Sequence, residues 1–260
     1  MRWRSVGLQT DLELSATRGS VIDRDDYSVV ITPDDPTYYF GNLLVLPAPP
    51  QVGEVAYWMR KFTAELGRDP AIRHITLRWD GIAGDAGARA ELEAAGFTLE
   101  TNAVLTAPRV STARATPFEI RPLRQQEMLA TAELAFAVGD HHDEATRSFL
   151  LARATWQQDL VARGRAMWWG AFDRGVLVGS LGLVSLGTRA RYQDVQTAAT
   201  FREHGIASAM LVAAANALLP SVTQLVIVAE PESAAERVYK RIGFTPIERV
   251  VSAFRGPPTS

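Results

Sequence analysis

One order of elements occurs twice in this chain, and that repeat constrains the fold more than any other feature. Phe40-Gly41-Asn42-Leu43-Leu44-Val45-Leu46-Pro47-Ala48-Pro49-Pro50-Gln51-Val52-Gly53 aligns without a gap on Tyr192-Gln193-Asp194-Val195-Gln196-Thr197-Ala198-Ala199-Thr200-Phe201-Arg202-Glu203-His204-Gly205. In each copy a strand pattern runs into a turn ending in glycine, and a helical pattern follows at residues 54–66 and 206–219. A strand comes next (72–79; 223–229), then a short helix ending in Gly-Phe-Thr (Gly96-Phe97-Thr98; Gly243-Phe244-Thr245), and a final strand closes each copy. Identity between the copies is low, so element order and the Gly-Phe corners carry the alignment. A repeat of this length predicts two copies of one α/β unit with a mixed sheet flanked by helices, the first copy shortened at its front end.

Length alone leaves one large domain or two compact ones open at 260 residues, and the repeat decides for two. Residues 107–117 hold Pro108, Pro117 and small polar residues without helical or strand period, which reads as a linker. The expected division is a first unit at 1–108, a linker at 109–117 and a second unit at 118–256, with a tail at 256–260 that frays. The second unit should contain a strand at 118–123, helices at 125–138 and 144–163, and a hairpin of 166–172 with 176–186 around Asp173-Arg174-Gly175. A strand at 191–197, a helix at 205–219 apolar almost all round and so expected to be buried on most sides, a strand at 223–229, a helix at 233–241 and a strand at 247–254 complete it.

Composition removes several function classes. With 47% apolar and 22% charged residues the chain is ordinary globular protein. A net charge of -2 offers no basic field to nucleic acid or an anionic membrane. The absence of cysteine excludes disulfides, a thiolate nucleophile and cysteine-ligated metal, and it suits the cytoplasm. The N-terminal residues lack the apolar core of a signal peptide. The longest apolar stretch, 206–219, is broken by Ser208 and Asn216 and is too short for a membrane span.

Chemistry concentrates in Phe201-Arg202-Glu203-His204-Gly205-Ile206-Ala207-Ser208, an Arg-x-x-Gly-x-Ala pattern between a strand and a helix. Gly205 removes a side chain where the backbone turns, and Ala207 keeps the next turn low. The first-turn N–H groups then point outward with the positive end of the helix dipole behind them, an arrangement suited to a pyrophosphate. Taken alone, the same hexapeptide also serves as a plain strand-to-helix turn.

With the strand Asp194-Val195-Gln196-Thr197 before it and Ala235-Glu236-Arg237-Val238-Tyr239-Lys240-Arg241-Ile242-Gly243-Phe244 after it, residues 118–254 resemble the GCN5-related N-acetyltransferase (GNAT) superfamily. The opening Ile120-Arg121-Pro122-Leu123 adds to the likeness, and the whole chain resembles a tandem member. The resemblance implies that Arg202, Glu203, His204, Gly205, Ile206, Ala207 and Ser208 bind the pyrophosphate of acetyl-CoA. It implies further that Val195, Gln196 and Thr197 bind the pantetheine and that the helix carrying Tyr239 closes the site. In the first unit Pro50 stands where Arg202 does, Pro47, Pro49 and Pro50 remove backbone donors, Val55 replaces Ala207, and Leu92 falls where Tyr239 does. That unit is expected to be degenerate.

Acetyl transfer to an amine needs a neutral nucleophile, a stabilised oxyanion and a protonated leaving thiolate. Tyr239 is assigned as the general acid, against a reading in which it packs with its hydroxyl bonded to backbone. Asp194, the only carboxylate on the strand before the turn, is the candidate base; the competing reading is a structural hydrogen bond, with a strand bulge deciding which face it meets. Glu230 competes for the role, and a water chain would make a base dispensable. Asp140-His141-His142-Asp143-Glu144 lacks chelating spacing and reads as a loop with Asp143 capping the next helix, bordering the acceptor site if the resemblance holds. Trp156, Trp168 and Trp169 read as packing residues.

The function expected is direct transfer of acetyl from acetyl-CoA to an amine of a small molecule, protein or peptide. The alternative is a non-catalytic acyl-CoA-binding sensor or interaction module, and a third reading is transfer of a different acyl group. No metal, nucleic acid or membrane partner is expected, and a monomer or homodimer is.

Overall fold

The computed structural model describes residues 3–113 and 115–257. Met1, Arg2, Arg114 and Pro258, Thr259 and Ser260 of the expected tail lie outside them. The chain forms two compact units, and neither is one continuous stretch.

The first unit contains α1 (Val6–Ser15), β1 (Ser20–Asp23), β2 (Ser28–Ile31), β3 (Leu43–Leu46), α2 (Val55–Leu66), β4 (Ile75–Trp79), α3 (Arg89–Ala94) and most of β5 (Thr98–Ala107). β1, β2 and β3 are antiparallel neighbours, and the α2 crossover makes β3 and β4 parallel. β3 is buried along its whole length, as a central strand covered on both faces must be. Alternation sorts its side chains: Leu43 and Val45 join Leu8 and Leu12 of α1, whereas Leu44 and Leu46 join Val55, Trp58 and Phe62 of α2. α2 buries Val55, Trp58, Phe62 and Leu66, one stripe of an amphipathic helix.

The second unit contains β6 (Glu119–Pro122), α4 (Ala130–Val138), α5 (Glu144–Ala162), β7 (Ala166–Asp173), β8 (Val176–Leu186), β9 (Arg189–Thr197), α6 (Ile206–Asn216), β10 (Gln224–Ala229) and α7 (Ala234–Arg241). β6 to β9 form an antiparallel meander, and α6 crosses over to make β10 parallel to β9. Both units are thus mixed sheets with flanking helices. Asp143 caps α5, its Oδ1 accepting from the Thr146 N–H at 2.7 Å. Two expectations need correction. The helix at 125–138 is a 3-10 turn at Gln125–Glu127 followed by α4. α6 buries only Ile206, Met210, Leu211 and Ala214, because much of its apolar character comes from alanines small enough to stay half-exposed.

The larger difference concerns the last strands. Contiguous domains at 1–108 and 118–256 do not describe the compact units, because β11 (Thr245–Arg255) lies from Ile247 onward with the first unit. There it pairs antiparallel with β4, setting Ser252 against Arg78 and Phe254 against Thr76. The final residues of β5, Leu105–Ala107, belong to the second unit. Each copy ends in the same Gly-Phe corner and a strand of similar pattern, so the pattern does not specify which sheet receives it. Glu248 anchors β11 in the first unit. Its buried carboxylate accepts from Ser5 Oγ (2.7 Å), Val6 N–H (2.7 Å) and Gly7 N–H (3.1 Å) at the start of α1. Residues of the expected linker are bonded into the second unit: Ser111 N–H donates to Ile242 O (2.8 Å), and Thr116 Oγ1 to His204 O (3.2 Å).

Candidate active site

β9 and β10 pair only at their start, through Arg189↔Gln224, Ala190↔Leu225 and Arg191↔Val226. From Tyr192 to Thr197, β9 continues with no registered partner on β10. The cause lies on its other side. The register with β8 passes from Ser180↔Gln196 to Gly182↔Gln193, so Asp194 and Val195 together face Leu181. Asp194 adopts φ 51°, the left-handed region that a non-glycine residue rarely enters. This is a β-bulge, which bends and twists the strand that carries it. Gln196 and Thr197 resume pairing, opposite Ser180 and Gly179.

The chain then makes a 3-10 turn at Ala199–Phe201 and enters α6 through Arg202-Glu203-His204-Gly205. Glu203 (φ 67°) and Gly205 (φ 77°) both take left-handed conformations. At Gly205, the N-cap residue, this geometry favours glycine. The Ala209 N–H donates to Gly205 O at 3.0 Å, so the N–H groups of Ile206, Ala207 and Ser208 precede the first intrahelical bond. No side chain caps Gly205, and no acidic residue lies in the first turn of α6. Ser208 Oγ donates back to Gly205 O (2.8 Å), while His204 Nδ1 contacts Arg202 O (2.7 Å). Arg202, Glu203 and His204 are exposed, with Arg202 Nε donating to Thr197 O at 3.4 Å.

In the first unit the matching strand stays paired, and although α2 likewise has no side-chain cap, two N–H groups ahead of it are taken. β3 pairs with β4 to its last residue, Leu46↔Trp79, and the Asp80 N–H extends the contact to Leu46 O at 3.0 Å. Ahead of α2 the Gly53 N–H donates to Glu91 Oε2 (2.6 Å), and the Gln51 N–H to Glu54 Oε2 (2.9 Å). Carboxylates of the chain itself therefore occupy donors at this turn.

α7 starts at Ser233, whose Oγ accepts from the Glu236 N–H (3.2 Å), and carries Tyr239 one turn later. Tyr239 is 4% exposed and packs edge-on against Phe244. Its hydroxyl makes no hydrogen bond among the described residues, and burial pushes the phenol up to about 12. Tyr192 is the structural tyrosine of this unit, donating to Leu211 O at 2.7 Å, and burial raises its phenol as well. At neutral pH Tyr239 is a protonated phenol with an uncommitted O–H.

Asp194 lines a pocket of ≈ 120 Å³ with Thr131, Arg153, Gln157, Trp168 and Gln196. Both of its oxygens are engaged, one by the Arg153 guanidinium and the other by Gln157 Nε2 at 2.5 Å. It is an ion-paired wall residue of this pocket. Gln196 Nε2 donates to Ser180 Oγ (2.8 Å) and Thr131 O (3.2 Å). Sequence reading missed Arg153 and Gln157, although their i, i+4 spacing on the helix predicted at 144–163 places them on one face. Glu230, the competing base, is exposed and belongs to the short segment 229–231 counted with the first unit. His141 and His142 are exposed, and His142 sits edge-on to Phe136. Among the described residues no cluster of three metal-ligating side chains occurs.

The family described as an acetyltransferase (GNAT) domain matches residues 137–254, the stretch that holds the bulge, the open turn and Tyr239. Residues 137–254 are therefore a GNAT domain, an acyltransferase domain. Solved structures of similar fold include a functionally unknown conserved protein from Staphylococcus epidermidis. It is 11% identical, with 92% of this chain and 94% of that one covered at a TM-score of 0.74. A GCN5-related N-acetyltransferase from Kribbella flavida is 12% identical over 99% and 97%, with a TM-score of 0.64. A tandem GNAT protein from the clavulanic acid biosynthesis pathway is 18% identical over 84% and 74%, with a TM-score of 0.56. At these identities the likeness is one of fold. No curated protein matches the sequence. Among the described residues no helix is long and apolar enough to cross a membrane.

Proposed function

We propose that this protein transfers an acetyl group from acetyl-CoA directly to an amine of a small molecule, protein or peptide. The observation that carries this reading is the uncapped turn Arg202–Ser208 at the end of the unpaired stretch of β9. Arg202 and the outward N–H groups from Glu203 to Ser208 hold the pyrophosphate, where the helix dipole and guanidinium both favour negative charge. Val195, Gln196 and Thr197 present the strand edge that β10 leaves to the pantetheine. Acetyl-CoA supplies the acyl group as a thioester. Tyr239, kept neutral by its burial, donates its proton to the departing sulfur. Transfer is direct, since the chain has no cysteine to form an acyl intermediate.

The first unit is read as degenerate. Pro50 and Val55 replace Arg202 and Ala207, Leu92 is buried where a tyrosine would stand, and the carboxylates of Glu54 and Glu91 take donors that a phosphate would need. We place the protein in the cytoplasm, in keeping with its lack of cysteine, as a monomer or homodimer. The test is thiol release from acetyl-CoA across a panel of amines, with Arg202→Glu as control. Amine-dependent release lost in the variant is expected. Tight acetyl-CoA binding with no amine turned over would instead indicate a sensor, and no binding at all would remove the reading.

A further inference from the structure

We propose that the pocket beside Asp194 selects a small acceptor whose amine is uncharged, with an aromatic amine of single-ring size as the best match. This inference rests on the acetyl-transfer reading above and assigns the acceptor class of the same site. Arg153 and Asp194 are the charged residues lining the pocket, and they neutralise each other. A protonated alkyl amine entering here meets no available carboxylate, and seating it beside Asp194 forfeits the ion pair. Much of the remaining wall, including Ala132, Ala135, Leu150 and Val195, is apolar. The volume of ≈ 120 Å³ approaches the cavity of about 150 Å³ that accepts a benzene ring.

The polar groups that remain suit a neutral amine. Gln157 and Gln196 donate their amide N–H groups to Asp194, Ser180 and Thr131, which leaves the carbonyl oxygens to accept an amine N–H. Trp168, 1% exposed, also lines the pocket and adds apolar ring surface to it. Alkyl amines, with a pKa near ~10, arrive protonated at neutral pH and need a base; an aromatic amine does not. The aromatic amine nitrogen attacks the acetyl carbonyl carbon, forming the C–N bond as the C–S bond breaks. Its N–H proton leaves to water, the thiolate takes the Tyr239 proton, and solvent reprotonates the phenol.

Aniline and cyclohexylamine test this directly, because they share a ring size and differ in charge at pH 7. Acetyl-CoA binding to the full chain is measured first by calorimetry, then thiol release with each amine. The expected result is a kcat/KM at least 10-fold higher for aniline. In Arg153→Met, Asp194 loses its cation and the preference should move at least 10-fold towards cyclohexylamine. With acetyl-CoA bound, equal rates, a preference for cyclohexylamine, or turnover of neither overturns the inference, as does an unmoved ratio in a folded Arg153→Met. Should that variant not fold, binding of the two amines to the wild-type chain, followed by ligand-observed NMR, must still favour aniline or the inference fails. Failure of acetyl-CoA itself to bind removes the acetyl-transfer reading instead, and the same NMR measurement without acetyl-CoA then judges the pocket separately.

Discussion

In the first unit β3 stays beside β4 to its last residue, whereas in the second unit β9 leaves β10 after Arg191. The repeat alignment sets Leu44, Val45 and Leu46 against Gln196, Thr197 and Ala198, so the segment paired in one unit is the segment unpaired in the other. The two turns diverge in the same way. Neither helix has a side-chain cap, but carboxylates of the chain take two N–H groups ahead of α2 and no carboxylate lies in the first turn of α6. Two units of one fold thus differ by a bulge at Asp194 and by what satisfies the helix entrance. The proposed binding site thus lies where the second unit withholds interactions that the first completes.

Reversing charge at the open turn should have the largest effect. Arg202→Glu is expected to weaken acetyl-CoA binding about 100-fold, since it replaces a phosphate partner with a repelling carboxylate. Calorimetry should give one site per chain in the wild type, and a second site would break the contrast between the units. Next comes the anchor of β11 in the first unit. Glu248→Ala leaves buried donors at the start of α1 unpaired and should cost about 2 kcal/mol in urea unfolding. An unchanged midpoint would mean that the carboxylate does not hold the strand.

Tyr239→Phe should lower kcat about 10-fold and leave the KM for acetyl-CoA near its wild-type value, as loss of a general acid would. Turnover equal to wild type would remove Tyr239 from the chemistry. The smallest effect is in pH dependence. Burial favours the neutral phenol of Tyr239, raising it from 10.0 to about 12. Its contribution to stability is therefore complete below the unfolded value near 10 and is lost as pH rises towards 12. Activity of the wild type should show no alkaline limb from this group below about pH 10, and an earlier limb absent from Tyr239→Phe would contradict its burial.

Much of the local geometry of the candidate site is legible in the sequence. The Arg202-x-x-Gly205-x-Ala207 spacing demands a strand-to-helix turn with exposed N–H groups, and Gly205 does adopt the left-handed geometry that favours glycine. Tyr239 can be placed on a short helix, but whether its hydroxyl is already bonded depends on neighbours that one helix cannot reveal. Asp194 can be named as an acidic residue before the turn, but not its partners. Arg153 and Gln157 lie on a different element, and the bulge that aims the carboxylate at them arises from the register with β8.

By itself the sequence determined the order of strands and helices across residues 118–254, the recurrence of one strand-turn-helix order, and the contrast between a proline-rich turn in the first copy and Arg-x-x-Gly-x-Ala in the second. These are local properties, set by apolar period, by glycine where the backbone needs it and by proline where a donor is removed. Tertiary structure alone decided where the last strands go, where β9 parts from β10 and which cation neutralises Asp194. Those outcomes depend on pairing between segments far apart in the chain, and similar strand patterns satisfy more than one partner until the whole sheet is assembled.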